Sequence, residues 1–466
     1  MSSFTWSDGS VREALGMRAD LADVSSTFSG VSTDSRAVQQ GDLYVALVGE
    51  HFDGHDFVAD AFAKGARGAV VSRQVVTEPN QTLYPVDDTL VALGALASRR
   101  RGALEVPVVA ITGSSGKTTT KDLTRAALGS ARRVHATEGN FNNRIGMPLT
   151  LLATPDEADV VVLELGTNEP GEIRTLAAIA RPDLAVVTTV GESHLEKLGS
   201  MDGVLQEKLD LLRAVAAGGS CVVGDEPTIL ADRARTICSD ARVAGWSERA
   251  DDGLRPESVE ADVSGGYRFR WRGQAVTLSL PGRHSVANAM IALAIADLLG
   301  VSPSDAAQGL ATAAPGAMRG EVRSVGDITL IIDCYNANPQ SVRAALELLE
   351  SHAPATSRVA VLGTMLELGD HAAALHEEVL RDALATGVDL IVATGLFSEA
   401  VDAVGVSADR VLCADDWRAA YPELRSRLGG GEVVLLKASR GVAMEGILPL
   451  FEDDFGTTDL VGVVEA

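Results

Sequence analysis

Basic residues, cysteines and long apolar runs are all scarce in this chain of 466 residues. Lys and Arg number 40 against 64 Asp and Glu, which gives a formal net charge of −24. This balance argues against general nucleic-acid binding, because such binding normally relies on a basic face. It does not exclude an anionic small substrate, since the potential of a site depends on nearby Lys, Arg, helix termini and metal ions.

The four cysteines lie far apart and form neither a CxxC pair nor a Cys/His metal pattern. In a chain of this length they favour reduced thiols in a cytosolic protein. The first residues, MSSFTWSDGSVREAL, lack a basic segment followed by an apolar core, so we expect no secretory signal. The longest apolar stretch, residues 289–301, contains Asp297 and is shorter than the ~20 residues of a membrane helix. We therefore expect a cytoplasmic protein without membrane insertion.

The length of the chain and the local pattern of its apolar, polar and turn residues predict three α/β domains. Residues 1–102 contain short alternating segments and Gly/Asp turns, which indicate a small N-terminal α/β domain. Residues 103–315 alternate short β-rich runs with longer amphipathic segments, a pattern typical of a central, mainly parallel sheet around a phosphate loop. Residues 316–466 repeat this alternation and predict a C-terminal Rossmann-like domain.

Apolar, largely β-branched runs predict the buried strands of the two larger domains. They are residues 106–112, 160–165, 184–189, 329–333, 358–363, 390–394 and 432–436. Residues 260–281 instead indicate antiparallel strands with Gly turns, followed by a helix over 285–299. In doubly wound sheets, ligands bind beyond the carboxyl ends of the strands. The polar segments that follow these strands are therefore expected to share one crevice.

Residues 108–120, VVAITGSSGKTTT, predict a strand, a Gly-rich turn and the start of a helix. Backbone N–H groups of such a turn and the positive helix end form an anion cradle. Lys117 can neutralise the β/γ-phosphates of ATP, and the Thr118 hydroxyl can bind Mg²⁺. Ile111 stands where the full GxxxxGK[ST] pattern has its first Gly, and a structural turn is the alternative. The predicted ATP loop comprises Thr112, Gly113, Ser114, Ser115, Gly116, Lys117, Thr118 and Thr119.

Three further side chains are candidates for the same crevice. Glu164 closes a predicted strand and suits Mg²⁺, although a Glu at a strand end is more often a solvated charge or a helix cap. His194 follows the third strand; a lone His is mostly structural, but this position directs it towards the crevice. Lys208, in LQEKLDLL, would by itself be interpreted as a surface helix lysine.

Nine segments spread over nearly the whole chain resemble those of the Mur ligases, the ATP-dependent amide-bond-forming enzymes of peptidoglycan assembly. They are STDSR (32–36), GDLYVALVGEHFDGHDF (41–57), TGSSGKTTTK (112–121), GNFNNRIGMP (139–148), ELGTNEPGEI (164–173), SHLEKLGS (193–200), PGRHSVANA (281–289), DCYNANPQS (333–341) and KASRGVAMEG (437–446). The order and spacing of the nine carry the resemblance. DCYNANPQS is typical of the members that add D-alanyl-D-alanine to a UDP-N-acetylmuramoyl-tripeptide. Cys334 and Ser285 depart from the frequent Ser and Asn without removing an obvious catalytic group.

For the nucleotide and metals, the resemblance implies that Asn288 approaches the adenine, Arg319 the γ-phosphate and Asp333 the ribose. Tyr335 and Asn336 would lie beside the nucleotide. It implies two Mg²⁺ sites, one at Thr118 and Glu164 and one at His194 and Lys208, with Lys208 carried as its carbamate. Such a carbamate requires a lysine pKa lowered by burial or nearby positive charge. Lys117, His194, Lys208 and Arg319 are the implied catalytic residues.

For the substrates, the resemblance implies that Ser35 and Arg36 hold the uridine diphosphate end of the UDP-linked tripeptide. The muramoyl and peptide portions would pass Asn140, Asn142 and Asn143. The implied contacts of D-alanyl-D-alanine are Lys437, Ser439 and Arg440. We expect a monomer.

The implied reaction phosphorylates the tripeptide carboxylate before the dipeptide amine attacks, with the 316–466 domain closing over the ATP domain. A folylpolyglutamate-type ligase shares the last two domains, but the segments at 32–36 and 41–57 argue against it. A phosphate-loop regulatory protein that hydrolyses ATP only to change shape is the alternative from another class.

Overall fold

A computed structural model describes residues 5–456 except 22, 24–25, 79–80, 263–264, 353–355 and 407–408. The predicted α/β class, with parallel sheets in successive units of the chain, is confirmed. Within these described ranges, every helix falls short of the length or the apolar character that a membrane span requires.

The N-terminal unit is built on a four-stranded parallel sheet of order β3-β4-β5-β6. Its elements are β1 (Trp6–Ser7), α1 (Asp8–Ala14), β2 (Thr27–Phe28), β3 (Val31–Ser32), β4 (Leu43–Val45), α2 (Val58–Ala63), β5 (Gly68–Val71), β6 (Thr82–Pro85) and α3 (Thr89–Ala103). The buried carboxylate of Asp8 accepts hydrogen bonds from the Tyr84 hydroxyl and from Arg12, the latter at 2.9 Å. The Tyr84 bond fastens α1 to β6, whereas the Arg12 bond lies within α1.

The central unit is a six-stranded, entirely parallel sheet of order β12-β11-β10-β7-β9-β8. Its elements are β7 (Val108–Thr112), α4 (Lys117–Gly129), β8 (Val134–Ala136), α5 (Gly146–Leu152), β9 (Val160–Glu164), α6 (Glu172–Ala180), β10 (Leu184–Val187), α7 (Leu195–Leu198), α8 (Met201–Arg213), β11 (Ser220–Gly224), α9 (Thr228–Ile237) and β12 (Arg242–Ala244). The predicted strands are present and one or two residues shorter. Their β-branched residues are buried because helices cover the sheet on both faces.

Three antiparallel strands follow, as the Gly turns predicted. They are β13 (Glu257–Ala261), β14 (Tyr267–Trp271) and β15 (Gln274–Leu278), and the helices α10 (Arg283–Leu298) and α11 (Pro303–Leu310) come next. Helix α10 packs against α4 and is buried along most of its length. It therefore fixes the helix that begins at the phosphate loop.

The C-terminal unit is a second six-stranded sheet, of order β16-β17-β21-β18-β19-β20, in which only β16 runs antiparallel to its neighbour. Its elements are β16 (Glu321–Val325), β17 (Ile328–Asp333), α12 (Pro339–Ser351), β18 (Arg358–Leu362), α13 (Ala372–Ala385), β19 (Leu390–Thr394), α14 (Leu396–Val404), β20 (Val411–Ala414), α15 (Trp417–Arg427), β21 (Val433–Lys437) and α16 (Leu448–Phe455). The four strands predicted here are all present.

The expectation of four free thiols is wrong at one pair. Cys221 on β11 and Cys238 at the end of α9 form a disulfide, with their Cα atoms 6.5 Å apart. Cys334 and Cys413 are free. Sequence spacing gave no sign of this pair, because 17 residues separate the two cysteines and the helix returns the second beside the strand.

Two helical glycines allow the packing of α11 on α4 to be tested. A Cβ added at Gly309 would lie 2.1 Å from the Ala126 carbonyl oxygen, whereas a Cβ at Gly129 would meet open space. We expect Gly309→Ala to lower the free energy of unfolding by about 1–3 kcal/mol through overpacking. Gly129→Ala, the matched control, should leave it unchanged or raise it by up to about 1 kcal/mol. Urea denaturation of both variants measures the difference, and equal stabilities would contradict the close helix contact.

Candidate active site

A cavity of about 950 Å³ lies between the central and C-terminal units. Segments that follow β7, β9 and β10 line one side, and segments that follow β17 and β21 line the other. Both sheets thus direct the carboxyl ends of their strands towards one crevice, as expected for doubly wound folds.

The phosphate loop runs from the end of β7 to the start of α4. Gly116 caps the helix with φ +79°, a left-handed conformation that favours glycine. Lys117 donates a hydrogen bond from Nζ to the Gly113 carbonyl oxygen at 2.7 Å, and burial lowers the pKa of its ammonium group. The helix start and the lysine give this end of the cavity a positive potential suited to phosphate.

Asn288 on α10 holds the phosphate loop from behind. Its side chain is buried and accepts a hydrogen bond from the Thr120 hydroxyl at 3.2 Å. A Cβ added at Gly116 would lie 2.5 Å from Asn288 Oδ1. The loop can approach this amide only because residue 116 is glycine.

Glu164 ends β9 beside the phosphate loop and is 2% exposed. Its Oε1 accepts a hydrogen bond from Asn142 Nδ2 at 2.8 Å, while its Oε2 is buried without a partner among the described residues. A buried carboxylate oxygen without a donor is costly, and a hard cation would satisfy it. Mg²⁺ therefore fits here, with Thr118 also lining the cavity.

No cluster of three His, Cys, Asp or Glu side chains with metal-binding geometry occurs in the part of the chain that the structure describes. The predicted ligand sets do not need one. They combine a carboxylate, a hydroxyl, an imidazole and a modified lysine, and Mg²⁺ commonly takes its remaining ligands from waters and substrate phosphates.

Lys208 is fully buried on α8, so its interpretation as a surface lysine is wrong. Its Nζ has no hydrogen-bond partner within the described chain. Burial lowers its pKa well below the ordinary value, and the nearby Lys117 ammonium acts in the same direction. This shift favours the neutral amine, which is the form that reacts with CO₂.

His194 lines the cavity and begins the short helix α7 with φ +54°, a conformation rare for residues other than glycine. Its Nδ1 lies 2.7 Å from Oε2 of Glu367, which comes from the C-terminal unit. This hydrogen bond lowers the pKa of the Glu367 carboxyl, so the group stays charged.

The side chains predicted for the nucleotide form a group on the C-terminal side of the cavity. The Arg319 guanidinium lies 3.8 Å from the centroid of the Tyr335 ring. Lys437, predicted near the dipeptide, is buried and donates hydrogen bonds to Asp333 at 2.7 Å and to the Asn336 carbonyl at 2.8 Å. Lys437 thus shares its position with the predicted ribose contact.

Several other predicted residues also line the cavity; they are Ser114, Ser115, Thr119, Asn140, Asn143 and Arg440. Some do not. Thr112, Gly113 and Lys208 lie behind the lining, and Ser35 and Arg36 lie in the N-terminal unit. The Arg36 side chain is 86% exposed and pairs with Asp34 at 2.8 Å. Ser439 is buried and accepts a hydrogen bond from the Leu366 N–H at 2.9 Å.

Sequence reasoning missed three polar side chains that join the two units. Asn338 Nδ2 donates to the Ser115 hydroxyl at 3.1 Å, and the Thr189 hydroxyl donates to Gln340 Oε1 at 3.1 Å. Glu367 makes the contact with His194. Asn338 and Gln340 lie within the segment DCYNANPQS, which could have drawn attention to them, whereas Glu367 lies in none of the nine resembling segments.

These features define a phosphate-loop α/β protein whose cavity is completed by a second doubly wound unit. Three family models match the chain: "Mur ligase family, catalytic domain" over residues 27–101, "Mur ligase middle domain" over 111–296, and "Mur ligase, glutamate ligase domain" over 318–440. The chain belongs to the Mur ligase family.

Individual relatives extend over nearly its whole length. A UDP-N-acetylmuramoyl-tripeptide–D-alanyl-D-alanine ligase of Bacillus subtilis is 37% identical over 90% of this chain and 92% of its own. A crystal structure of MurF from Acinetobacter baumannii is 30% identical, covers 97% of this chain and 100% of its own, and has a TM-score of 0.88. MurF ligase from Thermotoga maritima in complex with ADP is 28% identical, covers 91% and 97%, and has a TM-score of 0.80.

The contact between Gly116 and Asn288 generates a test of the phosphate loop. Gly116→Ala should weaken ADP binding at least tenfold, because its Cβ displaces either the loop or the Asn288 amide. Gly139→Ala is the matched control, since Gly139 also lines the cavity with positive φ but its Cβ would meet open space. Isothermal titration calorimetry measures both affinities. If both variants lost ADP affinity equally, backbone strain would explain the effect. That result would contradict a clash between the Cβ at position 116 and the Asn288 amide.

Proposed function

We propose that this chain is an ATP-dependent ligase that joins D-alanyl-D-alanine to UDP-N-acetylmuramoyl-tripeptide, forming the UDP-muramoyl-pentapeptide, ADP and phosphate. One observation carries the proposal. The phosphate loop, Glu164 and Arg319 line one cavity between two units, and Glu164 Oε2 is buried without a partner among the described residues, in a chain whose relatives along its length bear that ligase name. UDP- and ATP-linked substrates fit a cytoplasmic enzyme, and monomeric action is part of the proposal.

The chemistry requires an activated carboxylate, because hydroxide is a poor leaving group. The terminal carboxylate of the tripeptide attacks the γ-phosphorus of ATP, giving an acyl phosphate and ADP. Lys117 and Arg319 stabilise the negative charge that spreads over the phosphoryl oxygens. The dipeptide amine then attacks the acyl carbon, loses a proton and expels phosphate. Because water would destroy the acyl phosphate, the contacts between the two units at Ser115 and Thr189 serve to close the site.

Two magnesium sites complete the proposal. Thr118 and Glu164 would hold one ion, and His194 with the carbamate of Lys208 would hold the other. Bound magnesium supplies charge compensation for the phosphates. Carbamylation joins the neutral Lys208 nitrogen to the carbon of CO₂ and releases a proton, which turns an amine that has no partner among the described residues into an anionic oxygen donor.

The substrates would occupy three parts of the chain, the proposed domains 1–102, 103–315 and 316–466. Ser35 and Arg36 would bind the uridine diphosphate, Arg36 being an exposed planar fork of donors. Asn140, Asn142 and Asn143 would meet the peptide portion where they line the cavity. Asn288 and Asp333 would hold the nucleoside of ATP. Arg440 and Lys437 line the cavity and remain candidates for the dipeptide, whereas Ser439 lies outside the lining.

The proposed reaction is tested by measuring phosphate release with ATP, Mg²⁺, D-alanyl-D-alanine and UDP-muramoyl tripeptides carrying either meso-diaminopimelate or lysine. We expect release only when a tripeptide and the dipeptide are both present, with a product of pentapeptide mass. Lys117→Ala should reduce turnover at least 100-fold, because one phosphoryl-stabilising charge is lost.

Phosphate release that needs neither acceptor would favour the regulatory phosphate-loop protein. The Lys117→Ala variant must bind the UDP-tripeptide as the parent does, which shows that its loss is chemical. Near-parental turnover of this folded variant would contradict the role of Lys117.

The carbamate on Lys208 has a separate test. Lys208→Ala should lose activity, and short carboxylic acids should restore part of it by placing a carboxylate in the vacated space. Lys208→Arg should stay inactive, because a guanidinium keeps its positive charge and forms no such carbamate. Steady-state rates with and without acetate or propionate measure the rescue. Parental activity in Lys208→Arg, or no rescue combined with no effect of CO₂ depletion, would contradict the carbamate.

A further inference from the structure

A loop of the C-terminal unit, residues 363–369, reaches the central unit beside His194. The backbone N–H of Glu196 donates to the Glu367 carbonyl oxygen at 3.1 Å, and the Glu367 carboxylate contacts His194 Nδ1 at 2.7 Å. Gly369 has φ +56°, and a Cβ there would lie 2.8 Å from the Glu196 Cα. The two units therefore meet here through backbone as well as side chain, at a separation that admits no larger residue.

The loop is supported from within its own unit. The Met365 N–H donates to Nε2 of the fully buried His376 at 2.9 Å, and the Leu366 N–H donates to the Ser439 hydroxyl at 2.9 Å. His376 is fixed in turn by its Nδ1, which lies 2.7 Å from the Ala372 carbonyl oxygen. Glu367 itself has φ +64°. A side chain on a loop fixed at successive residues has a defined direction, so its contact with His194 is specific.

The contact between the Glu367 carboxylate and His194 Nδ1 determines which ring nitrogen of His194 carries the proton. In a neutral histidine one ring nitrogen carries the proton and the other has a free lone pair. A carboxylate at Nδ1 can only accept a hydrogen bond, so it holds the proton on Nδ1 and leaves the lone pair on Nε2. Histidines that bind metals are commonly oriented in this way by a carboxylate on the other nitrogen. Here the orienting carboxylate belongs to a different unit from the histidine.

We propose that Glu367 is a positioning residue that fixes the Nδ1–H tautomer of His194 across the interface, so that His194 presents the Nε2 lone pair to the active site only when the C-terminal unit is docked. This rests on the proposed ligase function for its catalytic meaning. Catalysis then depends on closure of the C-terminal unit, because that closure sets the tautomer of the His194 ring in the central unit. Ser439, predicted as a dipeptide contact, contributes by holding the loop that carries Glu367.

Kinetic constants separate this role from substrate binding. Glu367→Ala should lower kcat at least tenfold, while the KM values for ATP and the UDP-tripeptide change less than threefold, because those ligands are bound by other residues. Glu367→Gln should retain most of kcat, since its amide oxygen can still accept from Nδ1–H. Asp370→Asn is the matched control. It removes an exposed carboxylate three residues further along the chain and should leave all constants unchanged.

A spectroscopic measurement tests the tautomer without turnover. We would record the imidazole ¹⁵N signals of the full chain at pH 8 with ADP and the UDP-tripeptide but no magnesium, and assign His194 by comparison with His194→Gln. The parent protein, Glu367→Gln and Asp370→Asn should show the Nδ1–H pattern. Glu367→Ala should lose it. Gly369→Ala should also lose it, because its Cβ forces the loop away from Glu196 while the carboxylate remains on the chain.

The outcomes distinguish a positioning role of Glu367 from the absence of such a role and from failure of the proposed ligase function. Loss of both the Nδ1–H pattern and kcat in Glu367→Ala and Gly369→Ala, with a melting temperature within about 2 °C of the parent, supports it. An unchanged ¹⁵N pattern in both variants overturns it, as does a changed pattern with parental kcat. If the parent shows no ligase activity with either tripeptide, the proposed function fails, and the ¹⁵N pattern alone still decides whether Glu367 sets the tautomer.

Discussion

Parallel strands end where their polar loops begin, and the two six-stranded sheets direct those ends towards one another. This constraint places several of the chemical groups of the site. The phosphate loop, Glu164 and His194 follow three neighbouring strands of the central sheet, while Asp333 and Lys437 end two adjacent strands of the other. Within each sheet the spacing of these groups is set by strand pairing. Between the sheets it is set by a few hydrogen bonds, chiefly those of Asn338 with Ser115 and of Glu367 with His194.

The net charge of −24 coexists with a positive site because the relevant charges are local. Lys117, Arg319, Lys437 and Arg440 all line the cavity. The pairing of Lys437 with Asp333 neutralises part of this charge and fixes the direction of both side chains. Burial acts on two of the lysines of the central unit, since it lowers the pKa of both Lys117 and Lys208. A positive charge next to a second buried lysine favours the uncharged form of that lysine.

Much of the fold could be predicted, because period and β-branching report directly on buried parallel strands. The strands at Leu390–Thr394 and Val433–Lys437, for example, were predicted to within one residue. The candidate site could be predicted where a residue follows a strand, as Glu164 does. The contact of Glu367 could not be predicted, because this residue comes from a distant loop. The burial of Lys208 could not be predicted either, because the packing of its helix decides it. The Cys221–Cys238 pair was missed for the same reason, since contact between a helix end and a strand leaves no local pattern.

One aromatic side chain gives the protein an internal optical label. Of its four tryptophans, Trp6, Trp271 and Trp417 are buried in the cores, whereas Trp246 lines the cavity and lies under the Arg283 guanidinium at 4.8 Å. An indole is sensitive to the polarity and charge of its surroundings, and three of the four emitters here are insulated from whatever enters the crevice. A ligand that enters the crevice is therefore expected to change the emission of Trp246 more than that of the other three tryptophans, so that the unmodified chain can report binding by its own fluorescence.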